Sequence, residues 1–179
     1  AILFSTGDRG LMEQGIVEDF VRPGKNVTGA MSDFPENVGR ILEFLRLVAP
    51  NAKKLGALTD GFVIPKGLPG PFFLEALRHQ APLFGFTLVE YKSNIEPGPA
   101  LDAEAQRILA NIKPGEVDAF VHIPGHFVQP QQFYEAANAK RLGIPTMMPG
   151  FFEADLETGG LIGYGEDDYH VGGQIAVMA

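Results

Sequence analysis

Short apolar runs alternate with amphipathic segments along most of the chain. Residues 55–58 and 117–123 have the length of buried strands, and turn-forming residues follow each run. Other segments place apolar residues at helical spacing, the clearest being Val38, Ile41, Leu42, Leu45 and Val48. This alternation of strands and helices predicts an α/β fold, with a parallel sheet and helices on both of its faces.

The same patterns place the individual elements. Strands are predicted at residues 2–4, 26–31, 55–58, 86–91, 117–123, 144–148 and 159–164. Helices are predicted at residues 11–20, 36–48, 72–83, 101–112 and 129–142, with one turn at 151–156 and a last helix from residue 171. A loop rich in proline and glycine follows residue 58, and a loop of that length in a compact domain is often functional.

The loops that follow the strands contain the candidate binding residues. Open α/β sheets form their ligand crevice at the carboxyl ends of their strands. There, aromatic rings offer packing surface, and carboxylates or imidazoles orient a ligand. The candidates are Asp8, Asp60, Phe62, Gly125, His126, Phe127, Phe151 and Tyr164. We interpret them as the lining of a small-molecule cleft; the alternative is that the loop phenylalanines only cover helix ends.

Charge and composition exclude several classes of partner. The chain has 179 residues and a formal net charge of −8, with a pI near 4.9, which argues against nucleic acid and anionic membranes. No apolar run approaches the length of a membrane span, so no membrane insertion is expected of this segment. The absence of cysteine excludes disulfides, thiolate metal sites and cysteine nucleophiles.

Motifs for catalysis or cofactor binding are missing. The four histidines lack metal-ligand spacing, and there is no phosphate-binding Gly-Lys-Ser/Thr loop, no Gly-x-Ser-x-Gly elbow and no dinucleotide fingerprint. We therefore predict no metal, no cofactor and no catalytic residue. His122 is interpreted as a satisfied interior or surface histidine, and the carboxylates at 166–168 as a helix start. An α/β enzyme with Asp60 or His126 as acid or base is the less favoured alternative.

Several segments in order resemble the substrate-binding proteins of ABC transporters, in particular the uncharacterised ABC-type substrate-binding proteins, some of which bind aromatic amino acids. The most specific match is Arg22-Pro-Gly-Lys-Asn-Val-Thr-Gly29, similar to the family's Arg-Pro-Gly-Gly-Asn-Val-Thr-Gly. Further matches are residues 2–8, 40–51, 54–58, 117–121, 142–146 and 159–165, with Asp168, Tyr169 and Gly172. The resemblance covers nearly the whole chain.

This resemblance implies a type I periplasmic binding fold with two lobes. Residues 1–25 would end lobe one, residues 26–165 would form lobe two, and residues 166–179 would return to lobe one. The crossovers would lie near 26–32 and 164–166, with Tyr164 at the hinge. We expect the rest of lobe one before residue 1 and more of the last helix after residue 179.

The resemblance also implies a function. The chain would belong to a solute-binding protein of an ABC-type transport system, capturing a small polar or aromatic, amino-acid-like molecule between its lobes. Its partners would be that ligand and a membrane permease, in the periplasm or another extracytoplasmic space, with a signal peptide or lipoprotein anchor upstream. A ligand-sensing domain of a regulator is the alternative. The loops after residues 58 and 123 depart from the family pattern, so the family's ligand is not carried over.

Overall fold

The computed structural model describes residues 2–6, 15–19, 22, 24, 26–31, 34–60, 69–93, 99–123, 130–148, 159–165 and 168–178. Its strands are β1 (Ile2–Thr6), β2 (Val27–Met31), β3 (Lys54–Asp60), β4 (Thr87–Ser93), β5 (Ala119–Val121), β6 (Thr146–Met148) and β7 (Ile162–Gly163). Its helices are α1 (Phe34–Val48), α2 (Pro69–Gln80), α3 (Pro99–Asn111), α4 (Pro130–Leu142) and α5 (Asp168–Met178).

The strands form two parallel sheets. β1 pairs with β2 in a two-stranded sheet, and the other strands form a five-stranded sheet in the order β4-β3-β5-β6-β7. Each pairing is parallel, for example Gly56 of β3 opposite Phe120 of β5. Parallel neighbours need a crossover connection, and α2, α3 and α4 provide the connections from β3 to β4, from β4 to β5 and from β5 to β6. The predicted α/β fold with a parallel sheet is confirmed.

Helices cover both faces of the five-stranded sheet. On one face α1 and α2 pack on β3 and β5 in a first core, which contains Ile41, Leu45, Leu55, Phe73 and Val121. On the other face α3 packs on the same two strands in a second core, which contains Leu58, Ala105, Leu109, Ile112 and Phe120. Side chains alternate along each strand, so β3 and β5 contribute residues to both cores, which explains the continuous apolar run in the middle of each strand.

The most regular helix follows directly from its sequence pattern. Val38, Ile41, Leu42 and Leu45 of α1 are fully buried and lie on one helical stripe. The helix ends at Val48, two residues before Pro50, since the residue preceding proline avoids the α conformation.

Several predicted elements differ in type or length from the structure. Residues 15–19 form a turn with bends in place of the predicted helix, because Gly15 adopts a left-handed φ of 69°. The other residues predicted for that helix, and the predicted turn at 151–156, lie outside the described residues. The predicted helix at 72–83 ends as an α-helix at Gln80 and continues as a 3₁₀ turn, Ala81–Phe84, which contains Pro82. The last strand is reduced to Ile162–Gly163.

The first sheet and the last helix contact each other. α5 packs against β1 and β2, which are far from it in sequence. The division into two lobes at residues 25 and 166 remains a prediction.

Candidate functional site

The topology of the five-stranded sheet creates a switch point at its carboxyl edge. β3 lies between β4 and β5, so the chain leaves β3 through α2 toward one side and leaves β5 through α4 toward the other. α2 contributes to the first core, whereas α4 packs with α3 on the opposite face. Two adjacent strands whose connections diverge in this way form a topological switch point, where open α/β sheets bind ligands.

Thr59 lies on the β3 side of this switch point. It is the next-to-last residue of β3, is 3% exposed, and none of the described residues makes a hydrogen bond to its Oγ1. The alternation along β3 places it on the same face as Leu55 and Ala57 of the first core. A buried hydroxyl without a partner costs roughly 1–3 kcal/mol of stability, so it marks a position where a ligand or water would supply the missing partner.

His122 lies on the β5 side of the switch point. It follows β5 directly, and its backbone N–H donates to the carbonyl of Met147 on β6 at 2.9 Å. Its imidazole Nδ1 lies 2.6 Å from Oε2 of Glu135 on α4. His122 is 5% exposed and Glu135 is 1% exposed, so the pair is buried on the side of the sheet that carries α4. Nδ1 and the Glu135 carboxyl group are within hydrogen-bond distance, and the position of the proton depends on the tautomer of the imidazole.

Two of the residues predicted from sequence lie within the described residues. Asp60 is the last residue of β3, paired in register with Ser93 of β4, which places it at the switch point. Tyr164 follows β7 at the far side of the sheet, with its N–H bonded to the Met148 carbonyl at 2.9 Å. Its ring lies 5.4 Å from that of Phe44 on α1, at an interplanar angle of 48°. Tyr164 thus packs against the first core; its role at a hinge remains a prediction.

The other predicted site residues lie outside the part of the chain that the structure describes. They are Asp8, Phe62, Gly125, His126, Phe127 and Phe151. Both of the loops that leave the switch point contribute to this set, since residues 61–68 follow β3 and residues 124–129 follow β5. Their participation in a site stays a prediction.

Sequence reasoning did not assign Thr59, His122 or Glu135 to the site. His122 was interpreted as a satisfied histidine, and it is indeed buried and hydrogen-bonded. The available signal was positional: a polar residue at the end of an apolar strand next to the switch point. Which of the helix residues pairs with it depends on how α4 packs, and the sequence pattern does not specify that.

The described residues contain neither a candidate metal centre nor a candidate membrane span. No group of three or more histidine or carboxylate side chains within the described ranges could hold a metal ion. None of the described helices is both long and apolar enough to cross a lipid bilayer.

Three solved structures have a fold similar to that of this chain. The chain is similar to the ABC domain in complex with L-Trp from Streptococcus pneumonia, with TM-score 0.66 and 18% identity over 94% of this chain and 53% of that one. It is also similar to a conserved domain protein from Vibrio cholerae, with TM-score 0.70 and 22% identity over 93% and 51% of the two chains. A third similar structure is an extracellular ligand-binding receptor from Verminephrobacter eiseniae, with TM-score 0.52 and 14% identity over 83% and 44%.

The fold is that of type I periplasmic binding proteins. The identities are low, so the likeness concerns the fold. The chain spans about half the length of the periplasmic-binding-like structures that it matches. No protein-family model and no curated protein matches the chain by sequence. The name of the first of these structures states a complex with L-Trp, and the name of the third states an extracellular ligand-binding receptor.

Proposed function

We propose that the chain forms most of a ligand-binding lobe of a solute-binding protein in an ABC-type transport system. The observation that carries the proposal is the switch point between β3 and β5, where Thr59 and the His122–Glu135 pair bring buried polar groups to the carboxyl edge. Solved neighbours of this fold include a complex with L-Trp and an extracellular receptor, which supports capture of a small molecule.

The proposed ligand is small, polar or aromatic, and amino-acid-like. In this proposal a second lobe closes over the crevice by hinge motion, which excludes water and strengthens each polar contact. The site would include the residues predicted from sequence, namely Asp8, Asp60, Phe62, Gly125, His126, Phe151 and Tyr164. The closed form would dock on a membrane permease, in the periplasm or an equivalent space, and the ligand would leave chemically unchanged.

A thermal-shift screen of the full-length protein tests this function. The panel contains the twenty amino acids and simple aromatic acids. Each compound is recovered afterwards, and its molecular mass is measured by mass spectrometry. A ligand present at about 100 times its dissociation constant adds roughly 2.7 kcal/mol to the unfolding free energy, which raises Tm by several degrees. We expect such a shift for one or a few related compounds of unchanged mass. A compound that returns with a different mass would contradict a pure binding function.

A further inference from the structure

β4 forms one edge of the five-stranded sheet and differs from the strand at the opposite edge. It pairs with β3 along its whole length, Thr87–Ser93, and none of the described strands pairs with its other side. β7, at the opposite edge, contains two residues. A very short edge strand provides little backbone for pairing with another chain, whereas a long regular edge strand is a template for such pairing. Of the two edges, β4 is therefore the one that can accept another strand.

The side chains of β4 show that this edge is open to solvent. Six of its residues are exposed or half-buried, whereas the neighbouring β3 is buried from Leu55 to Thr59. The strand has the sequence Thr-Leu-Val-Glu-Tyr-Lys-Ser, in which threonine, valine and tyrosine favour extended backbone. β4 is thus a regular strand with one side of its backbone available for pairing.

The register of β4 on β3 shows which backbone groups face the free edge. The N–H group of Thr87 donates to the Lys53 carbonyl at 2.7 Å, so it points toward β3. The ladder then continues without a bulge to the ends of both strands. Successive residues of a strand point their N–H and C=O groups to opposite sides. The backbone groups of Leu88, Glu90 and Lys92 therefore point away from β3.

Two of these residues carry opposite charges on one face of the sheet. Glu90 and Lys92 are two positions apart and so share a face. Arg78 of α2 donates to the Glu90 carboxylate at 2.7 and 2.8 Å, so this is the face that carries α2. Tyr91 lies on the other face, where its ring is 6.3 Å from that of Phe120. The free edge thus presents an acidic and a basic side chain that flank Tyr91 in the sequence.

We propose that β4 pairs with β4 of a second copy of the chain, antiparallel about a two-fold axis at Tyr91. This register places Glu90 of each copy directly opposite Lys92 of the other, and each such pair exchanges both of its N–H···O=C bonds. An axis at Glu90 or at Lys92 would place like charges opposite each other, which is destabilising. An axis at Val89 would place Glu90 opposite Leu88. The charge pattern of β4 is therefore complementary to itself in one register.

This pairing closes at two copies. A two-fold interface uses the same surface of both chains, and after it forms the remaining sheet edges are the short β7 strands. Antiparallel pairing turns the carboxyl edges of the two sheets to opposite ends of the dimer, so each copy keeps its own switch point. The inference does not depend on the proposed ligand.

Sedimentation equilibrium of the full-length protein and of charge variants tests the inference. Wild type should be a dimer, and in Lys92→Glu the dissociation constant should rise at least about 10-fold, because like charges then lie opposite each other. Arg78→Glu/Glu90→Lys/Lys92→Glu reverses all three charges and keeps the ion pair between α2 and β4, so it should restore the dimer. Lys113→Glu is the matched control, since it makes the same charge change at an exposed position outside β4 and should leave the dissociation constant within about twofold of wild type.

Wild type that stays monomeric up to about 100 μM would overturn the inference. A dimer that Lys92→Glu does not weaken, that Lys113→Glu weakens equally, or that the triple variant does not restore would overturn it as well. Amide hydrogen exchange checks the location of the interface. The N–H groups of Glu90 and Lys92 should exchange faster when the wild type is diluted below its dissociation constant, whereas that of Thr87 should not change. Exchange at Glu90 and Lys92 that is independent of concentration would contradict pairing through β4.

Discussion

The ring of Phe120 occupies the space beside Gly56, its register partner in the adjacent strand. A Cβ atom at position 56 would lie 2.6 Å from Cδ2 of Phe120 and 3.2 Å from Cγ1 of Val117. The second core therefore depends on the missing side chain at Gly56. This close approach joins β3 to β5, the two strands that flank the switch point.

Gly56→Ala should consequently destabilise the protein by about 1–3 kcal/mol, because Phe120 is fully buried and has no free space to move into. Gly172→Ala is the matched control, since an added Cβ on this exposed helical residue meets nothing within 4 Å. The control should stabilise the protein by about 0.5–1 kcal/mol through helix propensity. Urea unfolding measures both, and effects of the same sign would contradict the packing account.

Arg46 connects the end of α1 to the 3₁₀ turn before β4. Its guanidinium donates to the carbonyls of Pro50, Ala52 and Phe84 at 2.6–3.1 Å and lies 3.9 Å above the centroid of Phe86. Lysine cannot reproduce this planar set of donors. We expect Arg46→Lys to cost about 1.5–3 kcal/mol in urea unfolding.

Arg40→Lys is the control for that variant. Arg40 is on the same helix and pairs with Glu43 in solvent, so its replacement should change stability by less than about 0.5 kcal/mol. Equal costs at the two positions would show that the carbonyl contacts of Arg46 contribute nothing.

Asp118 holds the amino end of β3 in place and makes the free energy of unfolding depend on pH. Its carboxylate accepts from the backbone N–H groups of Lys54 at 2.9 Å and Lys53 at 2.8 Å, and these bonds lower the pKa of Asp118. A lowered folded-state pKa stabilises the fold above the ordinary Asp value of about 3.9, and that stabilisation is lost as the pH falls through the folded value.

Asp118→Asn should therefore be less stable than the wild type at pH 7, by about 1 kcal/mol given the solvent exposure of the site. Its unfolding free energy should also fall less steeply than that of the wild type as the pH is lowered below about 4. The measurement is urea unfolding at a series of pH values. If the unfolding free energies of the two proteins changed with pH in the same way, Asp118 would not be the group responsible for the loss of stability.

Two buried threonine hydroxyls have no hydrogen-bond partner among the described residues, and variants of the two threonines distinguish an effect on stability from an effect on binding. Thr59 is at the carboxyl end of β3, whereas Thr146 begins β6 at the opposite edge of the sheet. Replacing either with the isosteric valine removes an unsatisfied hydroxyl and should stabilise the free protein by about 1 kcal/mol. Only Thr59→Val should also weaken ligand binding, by about 3- to 10-fold. Equal affinity of the two variants for the ligand would show that Thr59 is not part of the binding site.

The fold was largely predictable because its elements carry strong periodic patterns. The buried stripe of α1 and the apolar run that contains β5 are explained by burial alone, because the spacing of apolar residues in each segment predicts which side chains are buried. The helix predicted at residues 11–20 was wrong for residues 15–19, because one glycine in the left-handed conformation outweighs a few apolar positions.

The site was less predictable for a physical reason. Loop residues such as His126 are candidates because they are polar and follow strands. The polarity of a residue does not predict the position of its loop in the fold. The pairing of His122 with Glu135 joins residues on a strand and a helix, and it depends on how α4 rotates as it packs. The sequence therefore allows the carboxyl edge of the sheet to be predicted as the site, but not the hydrogen bonds between side chains at that edge.

The most direct test of the central claim is native mass spectrometry of the full-length protein, purified without denaturation. A small molecule held at the switch point should appear as a bound species of defined mass, released by collisional activation and depleted in Thr59→Val but retained in Thr146→Val. Added L-tryptophan or another amino acid should displace it or fill the empty site. A protein that is purified without a bound small molecule, and that binds none of the compounds of the panel, would contradict the account.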